Sequence, residues 1–447
     1  MNVKIYLENL GCAKNRVDSE IMLGVLAKNG AEIVSDAEAS EILIINTCGF
    51  IASAVNESLD RVLTLSKIKE IGPPKKLIVV GCLSERYRED LKKEIPEIDI
   101  LMGTSDYSMI VDAVKDCQRK TITKNYLDKS VLYSNRNYES ERLLTTKHHY
   151  AYLKIAEGCS NMCSFCNIPK LRGRYQSRSI ESVEKEFSQI IQNGVKEINL
   201  ISQDCSSYGR DLKEDVSLMD LVDRLLEVNS EEFWIRIFYT YPNHYPVDLF
   251  KMMREDSRLV PYIDIPFQHI SDPVLKSMNR RITEVEIENL INDAITINGD
   301  IAIRTTFLVG FPNETEKDFQ KLLAFVNKGY FQHIGVFEYS HEDNIKSYQM
   351  DDNVPAELKA ERKKILMEAQ QRISLKKNQA KIGQIQKVLV EGFYDETDLL
   401  VQGRNQYQGV DVDGVVLINE GGTINGEFCN VEIIEAHPYD LIGKVVL

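Results

Sequence analysis

Twice along this chain, short β-rich apolar runs alternate with helix-length segments, and that rhythm confines the fold to βαβ units built on parallel sheets. In the first series the strands read at residues 3–7, 42–46 and 77–80, with a weaker one at 99–101. Helices are expected at 19–29, 52–66, 85–93 and 108–116, the last started by the cluster Thr104-Ser105-Asp106. Residues 1–118 therefore predict a small doubly wound parallel-sheet domain. Residues 119–145 are polar and lack a clear period, which marks a linker. The second series places strands at 152–156, 197–201, 233–239, 262–265, 301–309 and 333–339. Six such units over 146–378 predict an incomplete (β/α)6 barrel, since a full one has eight. A helical stretch over 355–381 carries Lys359, Arg362, Lys363, Lys364, Lys376 and Lys377, and reads as a solvated helix face before a basic docking patch. Residues 379–447 change to short alternating strands with turns at Gly403, Gly409, Gly414, Gly421 and Gly422, the pattern of a small antiparallel β-barrel. The fold class is thus α/β with an all-β C-terminal part.

Nothing in the first residues resembles the apolar core of a signal peptide, and no apolar run approaches the roughly 20 residues of a membrane span. A cytoplasmic protein without membrane contact is expected. Nine cysteines, an odd number, cannot all pair, and in a reducing compartment they bind metal or do chemistry more often than they form disulfides. The formal net charge of −14 opposes general affinity for nucleic acid and suits a basic protein partner.

Cys159, Cys163 and Cys166 follow directly on the first barrel strand, in the loop where α/β barrels place their active sites. Three thiolates from one tight loop can hold three corners of a cubane cluster, with the fourth iron left for a small-molecule ligand. Structural zinc usually draws on two paired cysteine elements, and no second pair lies nearby. Cys12, Cys48 and Cys82 show a different regularity: each stands directly after a strand of the first domain. Loops at the carboxyl ends of a parallel sheet line one edge, so the three should converge. Buried cysteines acting as small apolar residues are the alternative. Gly11 and Gly81 allow the tight turns such loops need. Cys117 and Cys429 read as structural, and Cys205, at the end of a barrel strand, reads as a non-ligand.

The C-x₃-C-x₂-C spacing resembles the radical-SAM superfamily. Phe165 takes the aromatic position that in that superfamily lies beside the adenine. Gly310, in Phe307-Leu-Val-Gly-Phe-Pro-Asn-Glu-Thr315, matches its glycine near the adenosine. Two cysteine triads ahead of a small β-domain resemble the methylthiotransferase family over essentially the whole chain. The resemblance implies an auxiliary [4Fe–4S] cluster on Cys12, Cys48 and Cys82 that carries sulfur, and a second [4Fe–4S] cluster on Cys159, Cys163 and Cys166. With S-adenosyl-L-methionine the second generates a 5′-deoxyadenosyl radical. The C-terminal part would be a TRAM domain that grips the substrate.

One branch of that family modifies a tRNA adenosine, another an aspartate of a ribosomal protein. Leu10-Gly-Cys-Ala-Lys-Asn-Arg-Val-Asp-Ser-Glu20 resembles the second, the RimO branch, where the tRNA branch has Gln-Met-Asn after the cysteine. Asn46-Thr-Cys-Gly-Phe-Ile51, Ile201-Ser-Gln-Asp204, Asp264-Ile-Pro-Phe-Gln-His269 and Tyr439-Asp-Leu-Ile-Gly443 are similar to it too; Cys205 stands where the branch usually has Thr. The implied reaction methylthiolates the β-carbon of an aspartate in small-subunit ribosomal protein twelve, giving 3-methylthioaspartate. It needs a reductant such as flavodoxin or ferredoxin, and a possible sulfur donor. Rival readings are a MiaB-like tRNA-adenosine methylthiotransferase and a non-enzymatic iron–sulfur electron carrier. Independently of motifs, residues 380–447 carry Glu391, Asp395, Glu396, Asp398, Asp411, Asp413, Glu420, Glu427, Glu432, Glu435 and Asp440 against four Lys and Arg. A gripping surface of that sign would repel tRNA phosphates and attract a basic ribosomal protein; the alternative is that these acids only keep a small domain soluble. Among other residues, His269 is placed to face the site, Arg172 and Arg174, just after the cluster loop, read either as contacts to cofactor or substrate carboxylate or as surface ion-pairing residues, and His148 and His149 read as surface.

Overall fold

The computed structural model describes residues 1–71, 73–104, 107–119, 126–127, 142–228 and 232–446. The expected linker lies mostly outside these, as do Ser105 and Asp106. The chain divides into two compact units: Met1–Thr145 with Ala156–Ser160 and Asn167–Arg178, and Thr146–Ile155 with Asn161–Cys166 and Ser179–Leu447.

The first unit holds five parallel strands, β1 (Lys4–Asn9), β2 (Glu32–Ile33), β3 (Ile42–Thr47), β4 (Lys76–Gly81) and β5 (Ile100–Met102), in the order β2-β1-β3-β4-β5. Every residue of β3 is buried, as a central parallel strand covered on both faces requires. Leu43, Ile45, Leu77 and Val79 pack against Val55, Val62 and Leu65 of α2 (Ala52–Lys69), while Ile42, Ile44 and Ile78 point to the other face and are equally buried. The first helix, α1 (Ala13–Lys28), starts six residues earlier than its apolar period suggests. Its opening turns carry Asn15, Asp18, Ser19 and Glu20, all buried and held by hydrogen bonds such as Ser19 Oγ to Asn9 Oδ1 at 2.9 Å and Tyr107 OH to Asp18 at 2.9 Å. A polar face satisfied in this way leaves no hydrophobic signal. The helix expected at 85–93 is two, α3 (Cys82–Tyr87) and α4 (Glu89–Glu94), broken by Arg88 at φ 51°. A short antiparallel pair, Ala156–Glu157 with Gln176–Ser177, completes the unit.

In the second unit six parallel strands run in sequence order: β6 (Tyr150–Lys154), β7 (Glu197–Ile201), β8 (Trp234–Ile237), β9 (Leu259–Asp264), β10 (Ala302–Val309) and β11 (His333–Glu338). This is the expected incomplete barrel. The helix Ala356–Gln379 follows; Lys359 and Arg362 are buried in it and not part of a solvated face. The chain ends in a closed five-stranded barrel, β12 (Ile385–Tyr394), β13 (Thr397–Asn405), β14 (Val416–Glu420), β15 (Phe428–Ala436) and β16 (Leu441–Val445), around Val388, Val390, Val416, Ile418, Val431 and Ile433. Its pairings are antiparallel except β14 with β16.

The small barrel docks at the end of the large sheet where strands begin. Glu197, the first residue of β7, accepts from Arg236 Nε at 2.7 Å and from Arg404, whose Nε donates to Glu391 at 2.6 Å. Asp411 accepts from Tyr152 at 2.8 Å; Asp413 accepts from Tyr262 at 2.6 Å and lies 3.3 Å from Arg304 and 3.4 Å from His333. Part of the acidic surplus of residues 380–447 is therefore spent inside the molecule, the side chains of Glu391 and Asp413 being buried. Asp395, Glu396, Glu420, Glu427 and Glu435 remain exposed. His149 is buried as well, 3.4 Å from Glu391, which corrects its reading as a surface residue; His148 is exposed.

Candidate metal centre

Cys12 lies three residues past β1, and Cys48 and Cys82 directly follow β3 and β4, so the three occupy the carboxyl ends of adjacent strands. The loops leave no spare room there. A Cβ on Gly11, at φ +89°, would stand 2.9 Å from the Cβ of Cys48 and 3.3 Å from its Sγ. One on Gly49 would meet the Cys82 carbonyl oxygen at 2.7 Å, and one on Gly81, at φ +100°, would reach Asn46 Oδ1 at 2.4 Å. Glycine at Gly11 and Gly81 thus serves both the positive φ and the close approach. Ser58 Oγ accepts from Cys48 N–H at 3.1 Å and donates to Cys48 O at 2.9 Å, which fixes the second loop.

Cys12 is exposed, Cys48 half-buried and Cys82 buried. Burial pushes the Cys48 thiol up, and neighbouring Cys12 adds to this. Burial pushes Cys82 up to about 12; Arg172 opposes the shift, and Cys48 and Cys12 reinforce it. Three thiols that feel one another in this way become thiolates when a cation joins them, releasing protons. The donor set is all sulfur, which suits an iron–sulfur cluster. Among the described residues no three His, Cys, Asp or Glu side chains gather as a single ion requires; a cubane spreads its ligands more widely. The residues present fit a cluster.

Of the second triad, Cys159 belongs to the first unit, its N–H donating to Gly173 O at 3.2 Å. Cys163 and Cys166 belong to the second, joined by a hydrogen bond from Cys166 N–H to Cys163 O at 3.1 Å. The end of the helix Asp272–Ser277 pins this part of the loop. Ser164 N–H donates to Met278 O and its Oγ to Ser277 O, both at 2.9 Å, and Asn279 Nδ2 donates to the carbonyl of Met162, which sits at φ 56°. Phe165 packs against Val274, Met278, Leu308, Phe311, Tyr339 and Ile345, so it and the Gly310 turn border one apolar cluster. The immediate neighbour of Gly310 is Lys359, whose Cγ would lie 2.2 Å from an added Cβ.

Two residues beside Cys163 escape sequence reasoning. Arg280, buried, brings Nη1 to 3.8 Å from Cys163 Sγ and stacks 4.1 Å from the ring centre of Tyr241. Burial pushes the Tyr241 phenol up to about 12. Nothing in the run Met278-Asn-Arg-Arg281 singles out Arg280, because its partners come from other loops. A fixed guanidinium there is suited to a carboxylate.

Several expected placements change. Arg172 is buried in the first unit, donating to Asp18 at 3.0 Å and to Glu157 at 3.0 and 3.2 Å, whereas Arg174 is exposed. His269 accepts from Ser271 N–H at 2.9 Å, and burial holds its imidazole down to about 3, so it stays neutral and serves packing. Cys205 is wholly buried, 3.4 Å from Ser202 Oγ; Cys117 is buried in the helix Ile110–Arg119, and Cys429 is half-buried in β15.

Three family models match the chain: the uncharacterized protein family UPF0004 over residues 4–103, the radical SAM superfamily over 153–326 and the TRAM domain over 382–446. The radical SAM match carries with it a [4Fe–4S] cluster and S-adenosylmethionine as cofactors. Among curated relatives, the ribosomal protein uS12 methylthiotransferase RimO of Citrifermentans bemidjiense is 44% identical, over 99% of this chain and 98% of its own length. Those of Geotalea uraniireducens and Bdellovibrio bacteriovorus are 43% and 40% identical, over 99% and 100% of this chain and 98% of each relative. Among solved structures, the radical S-adenosylmethionine methyltransferase TsrM from Kitasatospora setae aligns with a TM-score of 0.59 at 12% identity, covering 78% of this chain and 77% of that one. The cobalamin-dependent radical enzyme OxsB aligns at 0.53 and 14% identity, covering 82% and 56%; both likenesses concern the fold. With three matching family models along the chain and full-length relatives 40–44% identical to it, the chain belongs to the RimO family of radical-SAM methylthiotransferases.

Proposed function

We propose that this enzyme methylthiolates the β-carbon of an aspartate in the small-subunit ribosomal protein uS12, in the cytoplasm, giving 3-methylthioaspartate. The observation that carries the reading is the convergence of Cys12, Cys48 and Cys82 on adjacent strand ends, a second soft-sulfur site in a chain that already holds the radical-SAM motif. Cys12, Cys48 and Cys82 would hold an auxiliary [4Fe–4S] cluster, and Cys159, Cys163 and Cys166 the other. Together with S-adenosylmethionine, these groups supply one-electron cleavage, sulfur and a methyl group, which an unactivated C–H needs and acid–base catalysis cannot provide at neutral pH.

The chain's own residues bind and exclude. Phe165 and the Gly310 turn, bordering one apolar cluster, offer a surface for an adenine ring and keep water from it. Arg280 stands ready for a carboxylate beside Cys163. The division supported best is 1–118 for the auxiliary site, 119–145 as linker, 146–378 for the radical chemistry and 379–447 for grip on the substrate. Exposed acids on the last part favour encounter with a basic protein. A flavodoxin or ferredoxin would provide electrons, and a sulfur donor would replenish sulfide.

The test is anaerobic incubation of the reconstituted chain with S-adenosylmethionine, dithionite, sulfide and purified uS12. Both 5′-deoxyadenosine and a uS12 peptide bearing one methylthio group are expected. Formation of 5′-deoxyadenosine with unmodified uS12 but modified tRNA would overturn the substrate assignment, and no 5′-deoxyadenosine with intact clusters would overturn the enzyme reading.

A further inference from the structure

The Lys-Asn run after Cys12 contains a residue whose hydrogen bonds join separate segments around the three thiols. Asn15 lies in the first turn of α1 and is 1% exposed. Its Nδ2 donates to Leu10 O at 2.9 Å and to Thr47 O at 3.1 Å, the carbonyls two residues before Cys12 and one before Cys48. Its Oδ1 accepts from Nη2 of Arg172. Its backbone carbonyl accepts from Asn46 Nδ2 at 2.9 Å, and Asn46 Oδ1 faces Gly81, the residue before Cys82. One carboxamide thus clamps the first two cysteine loops, and its backbone leads through Asn46 to the third.

The arrangement also fixes which way the amide points. Both loop carbonyls need a donor and Arg172 needs an acceptor, so only the orientation with Nδ2 toward the loops satisfies all three. Arg172 is held in turn by Asp18 and Glu157, which leaves its guanidinium little freedom. Because the side chain is buried, no water can take over its hydrogen bonds without rearrangement.

We infer that Asn15 is a positioning residue for the auxiliary site: by bridging the carbonyls ahead of Cys12 and Cys48 it sets the separation of those two ligands, and Arg172 locks its amide in the productive orientation. The inference rests on the reading that Cys12, Cys48 and Cys82 hold a cluster. Asn15→Asp is the informative change, since it keeps size and the acceptor for Arg172 but turns both donor contacts into oxygen facing oxygen. Arg172→Lys keeps the charge and loses the fork.

Iron content, EPR of the reduced clusters and midpoint potentials should be compared for the full chain, for Asn15→Asp, Asn15→Gln and Arg172→Lys, and for each in a Cys159→Ala/Cys163→Ala/Cys166→Ala background that isolates the auxiliary signal. Expected are loss of about half the iron in Asn15→Asp, with the barrel-cluster signal and its response to S-adenosylmethionine kept as proof of folding. Arg172→Lys should retain iron but shift the auxiliary EPR spectrum and potential. An unchanged auxiliary spectrum, potential and iron content in both Asn15→Asp and Arg172→Lys would overturn the inference. Should Asn15→Asp lose both clusters, Asn15→Gln decides, because Arg172 also acts directly on Cys82: an unaltered auxiliary signal in Asn15→Gln refutes the inference, and a perturbed one with the barrel-cluster signal kept supports it. If the isolating background of the unmodified chain takes up no cluster, the two-cluster reading fails instead.

Discussion

Gly310 sits at φ +71° with the buried stem of Lys359 where a side chain would begin, and Lys359 is tied to Asp352 at 2.8 and 2.9 Å. Gly310→Ala should cost about 1–2 kcal/mol from the backbone alone, with a further loss from displacing Lys359. Urea unfolding of the single variant and of the double variant with Lys359→Ala separates the two contributions: the double should recover only the steric part. A loss in the single variant no larger than the backbone part would mean that Lys359 yields freely, and no loss at all would contradict the backbone cost. Cys205 allows a cleaner contrast with the six candidate ligands. Cys205→Ala should leave iron content unchanged and destabilise by about 1 kcal/mol, as a small buried side chain does; any drop in iron would make it a ligand. Such residues divide by how they announce themselves. Cys12, Cys48 and Cys82 were legible because each repeats one position relative to a strand. Arg280 and Tyr241 were not, because what makes them neighbours of Cys163 is a loop packing with no local pattern.

Among elements, the contact between β7, β8 and the small barrel makes the strongest energetic claim. Glu197 lies wholly buried between Arg236 and Arg404, and removing one member of such a group leaves charge stranded. Glu197→Gln should therefore destabilise by about 3–5 kcal/mol in denaturant unfolding, and an effect under 1 kcal/mol would show the guanidiniums finding water. The same contact makes a pH dependence. Burial would raise the Glu391 carboxyl, but Arg404 and His149 outweigh it and hold it down to about 2. A depressed carboxylate stabilises the fold above its unfolded value of about 4.3, and that contribution is lost as pH falls toward about 2. Glu197 is lowered in the same sense, with burial opposing and the two arginines prevailing. Midpoints of urea unfolding should drop between pH 5 and pH 3, and a Glu391→Gln variant should drop less steeply; identical slopes would remove Glu391 from the explanation. Here the sequence was partly misleading. The acids of residues 380–447 looked like one surface charge, yet Asp411 and Asp413 accept hydrogen bonds from Tyr152 and Tyr262, 259 and 151 residues earlier in the chain, and Glu391 lies beside His149, separations over which composition carries no information.

In the whole molecule, the alternation of strand and helix made both parallel sheets legible because burial on two faces demands continuous apolar strands such as Ile42–Thr47. The start of α1 was hidden, since Asn15, Asp18 and Ser19 are buried through hydrogen bonds and not through apolar contact. The two cysteine triads announced themselves by contrary features, one by tight spacing and the other by wide but regular placement, and it is on the pair of them that the proposal of sulfur insertion rests. What most directly tests that this chemistry is aimed at a protein is intact-mass analysis of small-subunit ribosomal proteins, with nucleoside analysis of tRNA, from cells with the gene, without it, and carrying Cys82→Ala. We expect uS12 to lose the mass of one methylthio group both without the gene and with Cys82→Ala, the tRNA nucleosides being unchanged. A uS12 mass unaltered by deletion, with a methylthio-adenosine missing from tRNA, would contradict it.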